Sequence, residues 1–327
     1  MANQVEAVNT IAIADIEKIN TLTDDNIENL NTLEFTGTIS PLFAGTRAVI
    51  AGGTGASHAD QNTIAYKTLG ASANTVDFGD LQSYRSVMSS AGSNISRAIF
   101  SGGLSKGDGS SSLIYGVTDT DYITVGSTGD GTDFGNLQTA RSFGTGGGAS
   151  NGTLLFATGG ANQNGTFAIL GSMEYFTIAS TGNGTDAGDL SATRYYITQT
   201  DGNTRYICAG GHDTTVNIME YNDFSTSANV SDFGDLGAVA KHGSSAASST
   251  RAVFQCGHYD GSAGSNVMEF VTVASTGDAT DFGNLDTAVQ NAGGTSNGTL
   301  GEFFGGDNSG GTGQNICQTI TIASTGT

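Results

Sequence analysis

The chain has 327 residues, 50 of them glycine, about twice the usual ~7%, with one proline and no tryptophan. Clustered glycine without proline excludes collagen, and 37% hydrophobic residues, including 16 Phe and 10 Tyr, exclude a disordered glycine-rich linker. Eleven Lys and Arg against 31 Asp and Glu give a formal charge of -20, which argues against nucleic-acid binding, and no apolar run of ~18 residues is present to insert into a membrane.

The chain opens on Met1-Ala2-Asn3-Gln4-Val5-Glu6, without the basic and apolar regions of a signal peptide. Residues 8–33 repeat with an 11-residue period, so that Ile11, Leu22 and Leu33 correspond, as do Ile16 with Ile27 and Ile19 with Leu30. Thr23 or Asp24 offers a cap for a short helix running to Leu30, whereas Asn-Thr at each repeat start favours short turns. So short a segment cannot bury its apolar stripe alone. Residues 1–34 are therefore read as a docking segment, with packing beneath the rest of the chain as the alternative.

From residue 35 onward a longer repeat takes over. Asp77-Phe78-Gly79-Asp80-Leu81 returns at Asp133–Leu137, Asp186–Leu190, Asp232–Leu236 and Asp281–Leu285, at spacings of 56, 53, 46 and 49 residues. A short apolar run closed by glycine recurs six times, ending at Gly52-Gly53, Gly102-Gly103, Gly159-Gly160, Gly210-Gly211, Gly257 and Gly305-Gly306. An alternating strand follows, at Asn62–Leu69, Asp121–Val125, Ser172–Ile178, Asn217–Tyr221, Asn266–Val273 and Gln318–Ile322. Asn-Gly or Ser-Asn pairs such as Ser93-Asn94 and Asn151-Gly152 separate the first two strands, where a tight hairpin needs φ > 0. About four short strands per ~50 residues, six times over, predict an all-β fold, a six-bladed β-propeller spanning residues 35–327.

An arginine, an apolar strand ending in Gly-Gly and a strand bearing a tyrosine resemble the Kelch repeat. Arg141 with Phe156 to Gly160 and Tyr175 carries the pattern, as does Arg194 with Ile207 to Gly211 and Tyr221. The Kelch tryptophan has no counterpart; Phe78, Phe134, Phe233 and Phe282 stand roughly in its place, and Ala187 departs from even that. The phrasing of Tyr175–Gly182 and of Asp77–Leu81 resembles glycine-rich propellers in virion structural proteins of tailed bacteriophages, marine ones especially.

The sixth repeat stops at Thr327 without an Asp-Phe-Gly strand, while Leu30–Gly37 precedes the first. A strand near residues 30–37 is therefore expected to complete the last blade and close the ring.

Candidate chemistry is sparse. Asp-Phe-Gly occurs without the other protein-kinase motifs and is read as a turn. His58, His212 and His258 follow glycine-rich strand ends and are expected on one face. The pairs Asp77/Asp80, Asp130/Asp133, Asp186/Asp189, Asp232/Asp235 and Asp278/Asp281 recur in nearly every repeat, which favours capping of turn N–H groups over calcium binding. Arg85, Arg141 and Arg194 form one column and Arg47, Arg97, Arg205 and Arg251 another, both expected to pair with the Asp-Phe-Gly aspartates across blades. Cys208, Cys256 and Cys317 are read as small buried hydrophobes.

No catalytic, cofactor-binding or metal-ligating residue is predicted. With the phage resemblance, the expectation is a non-enzymatic virion protein: a tail-associated fibre or adhesin, or a capsid decoration. It would contact other virion proteins through residues 1–35, assemble in multiple copies, and reach a host-surface glycan or protein through its loops. A lectin or carbohydrate-active propeller enzyme is the alternative.

Overall fold

The computed structural model describes residues 45–54, 60–105, 115–144, 148–213 and 216–326, together with two short ladders in the N-terminal segment. In those ladders Lys18–Ile19 pairs with Leu22–Thr23, and Asn29–Leu30 pairs with Leu33–Glu34 eleven residues further on. The spacing repeats the sequence period, and Leu30 stands in a strand rather than at the end of a helix. Residues 24–28, and most of the strand expected at 30–37, lie outside the described residues. Contacts divide the chain into residues 1–41 and 42–327, seven residues beyond the boundary expected at 34.

Within 42–327 the described residues form antiparallel sheets and no helix, a β-propeller-like fold. The longer strands fall into six sheets in chain order. Sheet 1 holds Arg47–Ala51, Gln61–Thr68 and Val76–Arg85. Sheet 2 holds Ser90–Ser93, Arg97–Ser101, Asp119–Thr124 and Thr132–Asn136. Sheet 3 holds Leu154–Thr158, Ser172–Thr177 and Thr185–Asp189. Sheet 4 holds Thr198–Gln199, Tyr206–Ala209, Ile218–Asn222 and Ser231–Asp235. Sheet 5 holds Ser244–Ala247, Arg251–Gln255, Ser265–Thr272 and Thr280–Val289. Sheet 6 holds Gly293–Ser296, Leu300–Phe304 and Cys317–Thr321.

The Asp-Phe-Gly motif proves to be a β-bulge. In sheet 1 the pairing steps from Ile64↔Gly79 to Ala65↔Asp77, leaving Phe78 as the extra residue. The same slip leaves Phe134, Ala187, Phe233 and Phe282 unpaired in sheets 2 to 5. The bulge aims the ring inward, where Phe78, Phe134, Phe233 and Phe282 meet Tyr66, Tyr122, Tyr221 and Phe270 edge to face. The following glycine takes φ +150° at Gly79, and a Cβ there would overlap the Gly129 carbonyl of the next repeat. That close approach lets the Ser-Thr-Gly turn hydrogen-bond across the seam: Gly129 N–H to Phe78 O at 2.8 Å, Gly182 N–H to Phe134 O at 2.7 Å and Gly277 N–H to Phe233 O at 2.7 Å. Asp130 and Asp278 add the capping expected of the carboxylates, their Oδ1 atoms accepting from the Asp80 and Asp235 N–H groups.

Sheets 2 to 5 are each covered on both faces by their neighbours, so adjacent residues point into different seams. Met173 packs with Tyr206 and Cys208 of sheet 4. Glu174 instead reaches Arg141, the residue leading out of sheet 2. This corrects the arginine expectation. Arg85, Arg141 and Arg194 pair not with Asp-Phe-Gly aspartates but with Asp121, Glu174 and Glu220, each one residue before the strand tyrosine. Two-sided burial explains the choice, because the Asp-Phe-Gly carboxylates point outward while the position before the tyrosine faces the seam. The second column is corrected too: Arg47, Arg97, Arg205 and Arg251 lie over the rings of Tyr66, Tyr122, Tyr221 and Phe270 at 4.2–4.8 Å. Arg47, Arg97 and Arg251 also donate to carbonyls of the next sheet, at Val125, Ile178 and Ile322.

Sheet 6 packs against sheet 1 through Ala48, Leu69 and Phe304, with Lys67 paired to Glu302. Cys208 and Cys256 are buried as expected, but Cys317 is exposed, because it opens the last described strand of sheet 6.

Candidate binding face

The residue two places after each first-column position has an unusual backbone. Val87, Phe143, Tyr196, His242 and Asn291 have φ between 46° and 57°, the left-handed region that costs a non-glycine residue roughly 1–2 kcal/mol. Their backbones form a relay from sheet to sheet. The N–H groups of Phe143, Tyr196, His242 and Asn291 donate in turn to the carbonyls of Val87, Phe143, Tyr196 and His242, at 2.8–3.3 Å. Such strain persists only where the surroundings over-determine it, and it concentrates at functional positions. Here it presents five side chains of different chemistry at equivalent places.

Around Tyr196 those side chains form an aromatic platform. Its ring stacks on His242 at 3.5 Å between centroids, and His242 stacks on His258 at 4.6 Å. Phe143 meets Tyr196 at 5.0 Å, Tyr195 meets His212 at 5.0 Å, and Phe167, 47% exposed, joins Tyr195 at 5.4 Å. His212 and His258 therefore lie in one cluster, as the sequence suggested, with His242 between Tyr196 and His258; His58 lies outside the described residues.

A polar chain borders the platform. His242 Nδ1 lies 2.8 Å from Asn291 Oδ1, which assigns the proton to Nδ1 and leaves Nε2 as an acceptor. Asn291 Nδ2 donates to Asp307 Oδ1 at 2.8 Å, and Gln290 Nε2 donates to Asp307 Oδ2 at 2.7 Å. Burial lowers the His242 pKa to about 4, so the imidazole is neutral at physiological pH. Burial also lowers His258, His212 and Lys241, and raises Tyr195 and Tyr196. The face is thus an aromatic surface of neutral imidazoles and phenols, with Lys241 near enough to act on all three histidines, edged by an amide, a carboxylate and an imidazole acceptor held in fixed orientations. Chemically it suits a ring with one apolar face and a hydroxyl-bearing rim. Among the described residues no group of three or more His, Cys, Asp or Glu is placed to hold a metal ion.

Sequence reasoning missed Phe143, Tyr196, His242 and Asn291 because they are the variable member of an otherwise regular repeat. The signal available was their fixed offset of ten residues from each Asp of Asp-Phe-Gly.

No protein-family model matches the chain, and no curated protein does. Among solved structures, the one titled "Structure of YjhT" superposes with a TM-score of 0.65 at 11% identity, covering 85% of this chain and 92% of that one. At that identity the likeness speaks for the fold alone.

Proposed function

We propose that the six sheets are the blades of a closed six-bladed propeller, and that it is a non-enzymatic binding module of a tailed-phage virion. It is a tail-associated adhesin or a capsid decoration, held to other virion proteins through residues 1–35. The aromatic face around Tyr196 binds a neutral saccharide of the host surface. The observation that carries the binding reading is the Tyr196–His242–His258 stack bordered by Asn291 and Asp307. Support for the ring comes from the seam of sheet 6 on sheet 1, and support for the virion from the phrasing of the repeats.

Titration of neutral and acidic oligosaccharides into the purified chain tests the binding reading. Phe167→Ala and Tyr195→Ala should each weaken binding of the neutral sugar at least ~10-fold, about 1.4 kcal/mol, at unchanged melting temperature. Equal binding by both variants and the parent would reject the face as the site. Mass spectrometry of purified particles separates the virion reading from that of a free lectin, which the same aromatic face also favours. Turnover of a bound glycan would replace both with a carbohydrate-active enzyme.

A further inference from the structure

We propose that Lys67 and Cys317 form an oxidation-dependent covalent cross-link, a sulfenamide, that clasps sheet 1 to sheet 6.

The two groups are already in contact. Lys67 Nζ lies 3.2 Å from Cys317 Sγ and 3.1 Å from Glu302 Oε1. Lys67 is 5% exposed and Glu302 is fully buried, so the amine is confined rather than swinging in solvent. Glu302 is itself fixed, since Oε1 also accepts from Gly70 N–H at 2.7 Å and from the Thr319 hydroxyl at 3.3 Å. Cys317 is exposed and within reach of a small oxidant, whereas Cys208 and Cys256 are buried. Among the described residues this is the place where a thiol, an amine and a carboxylate converge.

The location gives the link a purpose. The first four seams, sheets 1–2 through 4–5, hold seven or more buried apolar residues each among the described residues. The seam between sheets 6 and 1 holds three, Ala48, Leu69 and Phe304. It is also the seam that joins the two ends of the repeat array, so local opening there separates the ring.

The chemistry needs a peroxide as oxidant. Hydrogen peroxide converts the thiol to a sulfenic acid and is reduced to water. Glu302 takes one proton from the Lys67 ammonium, and the freed amine lone pair attacks the sulfur. The S–N bond forms as the S–O bond breaks, and the departing hydroxide leaves as water with the proton held by Glu302. The nitrogen releases its surplus proton to solvent, leaving Cys–S–NH–Lys. A small thiol reverses the link by attacking sulfur and expelling the amine.

The test is peptide mapping of the full chain after exposure to hydrogen peroxide, digested without reductant. The expected product is a linked pair of peptides containing Lys67 and Cys317, lighter than their sum by two hydrogens and released by dithiothreitol. The oxidised parent should melt higher than the reduced one. Lys67→Arg keeps the charge but lacks the nucleophilic amine, so it should give sulfinic acid at Cys317, no link and no rise in melting temperature. Cys317→Ser, at an exposed position, should give neither product. Recovery of parent Cys317 only as sulfinic acid or as an intermolecular disulfide would overturn the proposal, as would a link that persists in Lys67→Arg.

Discussion

Arg141 offers the sharpest test of how the seams are held. Its guanidinium is fully buried and donates to Glu174 Oε1 at 2.7 Å, Ser172 O at 2.8 Å, Gly159 O at 3.0 Å and Ala157 O at 3.3 Å. Replacing it with valine strands the Glu174 side chain, 3% exposed, with only the Gln138 and Thr139 N–H groups as partners. Removing one partner of a buried pair costs about 3–5 kcal/mol. The protein carries its own control at the seam of sheets 5 and 6. There Val289 occupies the arginine position and Gln318 the acid position, and the Gln318 amide accepts from Thr287 N–H at 2.9 Å. Arg141→Val with Glu174→Gln copies that arrangement and should recover roughly half of the loss, a coupling of at least ~1 kcal/mol. Urea unfolding measures both variants, with stability read from the midpoint at unchanged slope. A single variant within ~0.5 kcal/mol of the parent would refute the reasoning, and so would a double variant no better than the single.

Three further outcomes follow from the same geometry. Gly79→Ala should cost about 2 kcal/mol or more, from its φ of +150° and the overlap with Gly129, whereas Gly126→Ala, with open space around it, should be near neutral by thermal melting. His242 binds its proton at about 4 when folded but near 6.5 when unfolded, so stability falls as pH drops through that window, by at most about 3 kcal/mol, and His242→Gln should flatten the profile. Asp201 has the opposite sign: burial raises it to about 7, so its charge disfavours the fold as pH rises from about 4 through 7, and Asp201→Asn should stabilise the chain at pH 8 while still accepting from Ser150 N–H.

The sequence was legible wherever the repeat forced one solution. Asp-Phe-Gly announced itself by recurring, but it was read as a turn where the structure has a β-bulge within a strand; its glycine is explained by the φ and by the approach of the next turn. What it paired with was not readable. The arginine partners are adjacent in space through two-sided burial, and a one-residue difference between the tyrosine strand and the bulge decides which carboxylate faces the seam. The binding face was hidden for the reverse reason. Repeats advertise what stays constant, and Val87, Phe143, Tyr196, His242 and Asn291 share only their backbone. Cys317 was misplaced because an apolar run reads as buried unless one knows that, among the described residues, its strand is the last of a sheet.

Variation among the seams shows which part of the design is constrained. Where Arg194 becomes Ala240 in the next repeat, the acid is kept, and Glu269 is instead held by Gly237 N–H at 3.0 Å and the Tyr259 hydroxyl at 2.8 Å. Where the position becomes Val289, the acid is lost as well and Gln318 takes its place. At the seam of sheets 6 and 1 the polarity is supplied from elsewhere, by Lys67 and Glu302. Each seam thus gives its buried carboxylate or amide hydrogen-bond partners, but from different residues, while the Nε atoms of Arg85, Arg141 and Arg194 and Oε2 of Glu302 are left without one. The backbone relay, in contrast, recurs with the same donors and acceptors from Val87 to Asn291, and the Ser-Thr-Gly strap recurs wherever the phenylalanine is kept, at Phe78, Phe134, Phe233 and Phe282 but not at Ala187. The propeller-like stack therefore depends on backbone geometry for its regularity, and its side chains at the left-handed positions are left free to differ, as a binding surface requires.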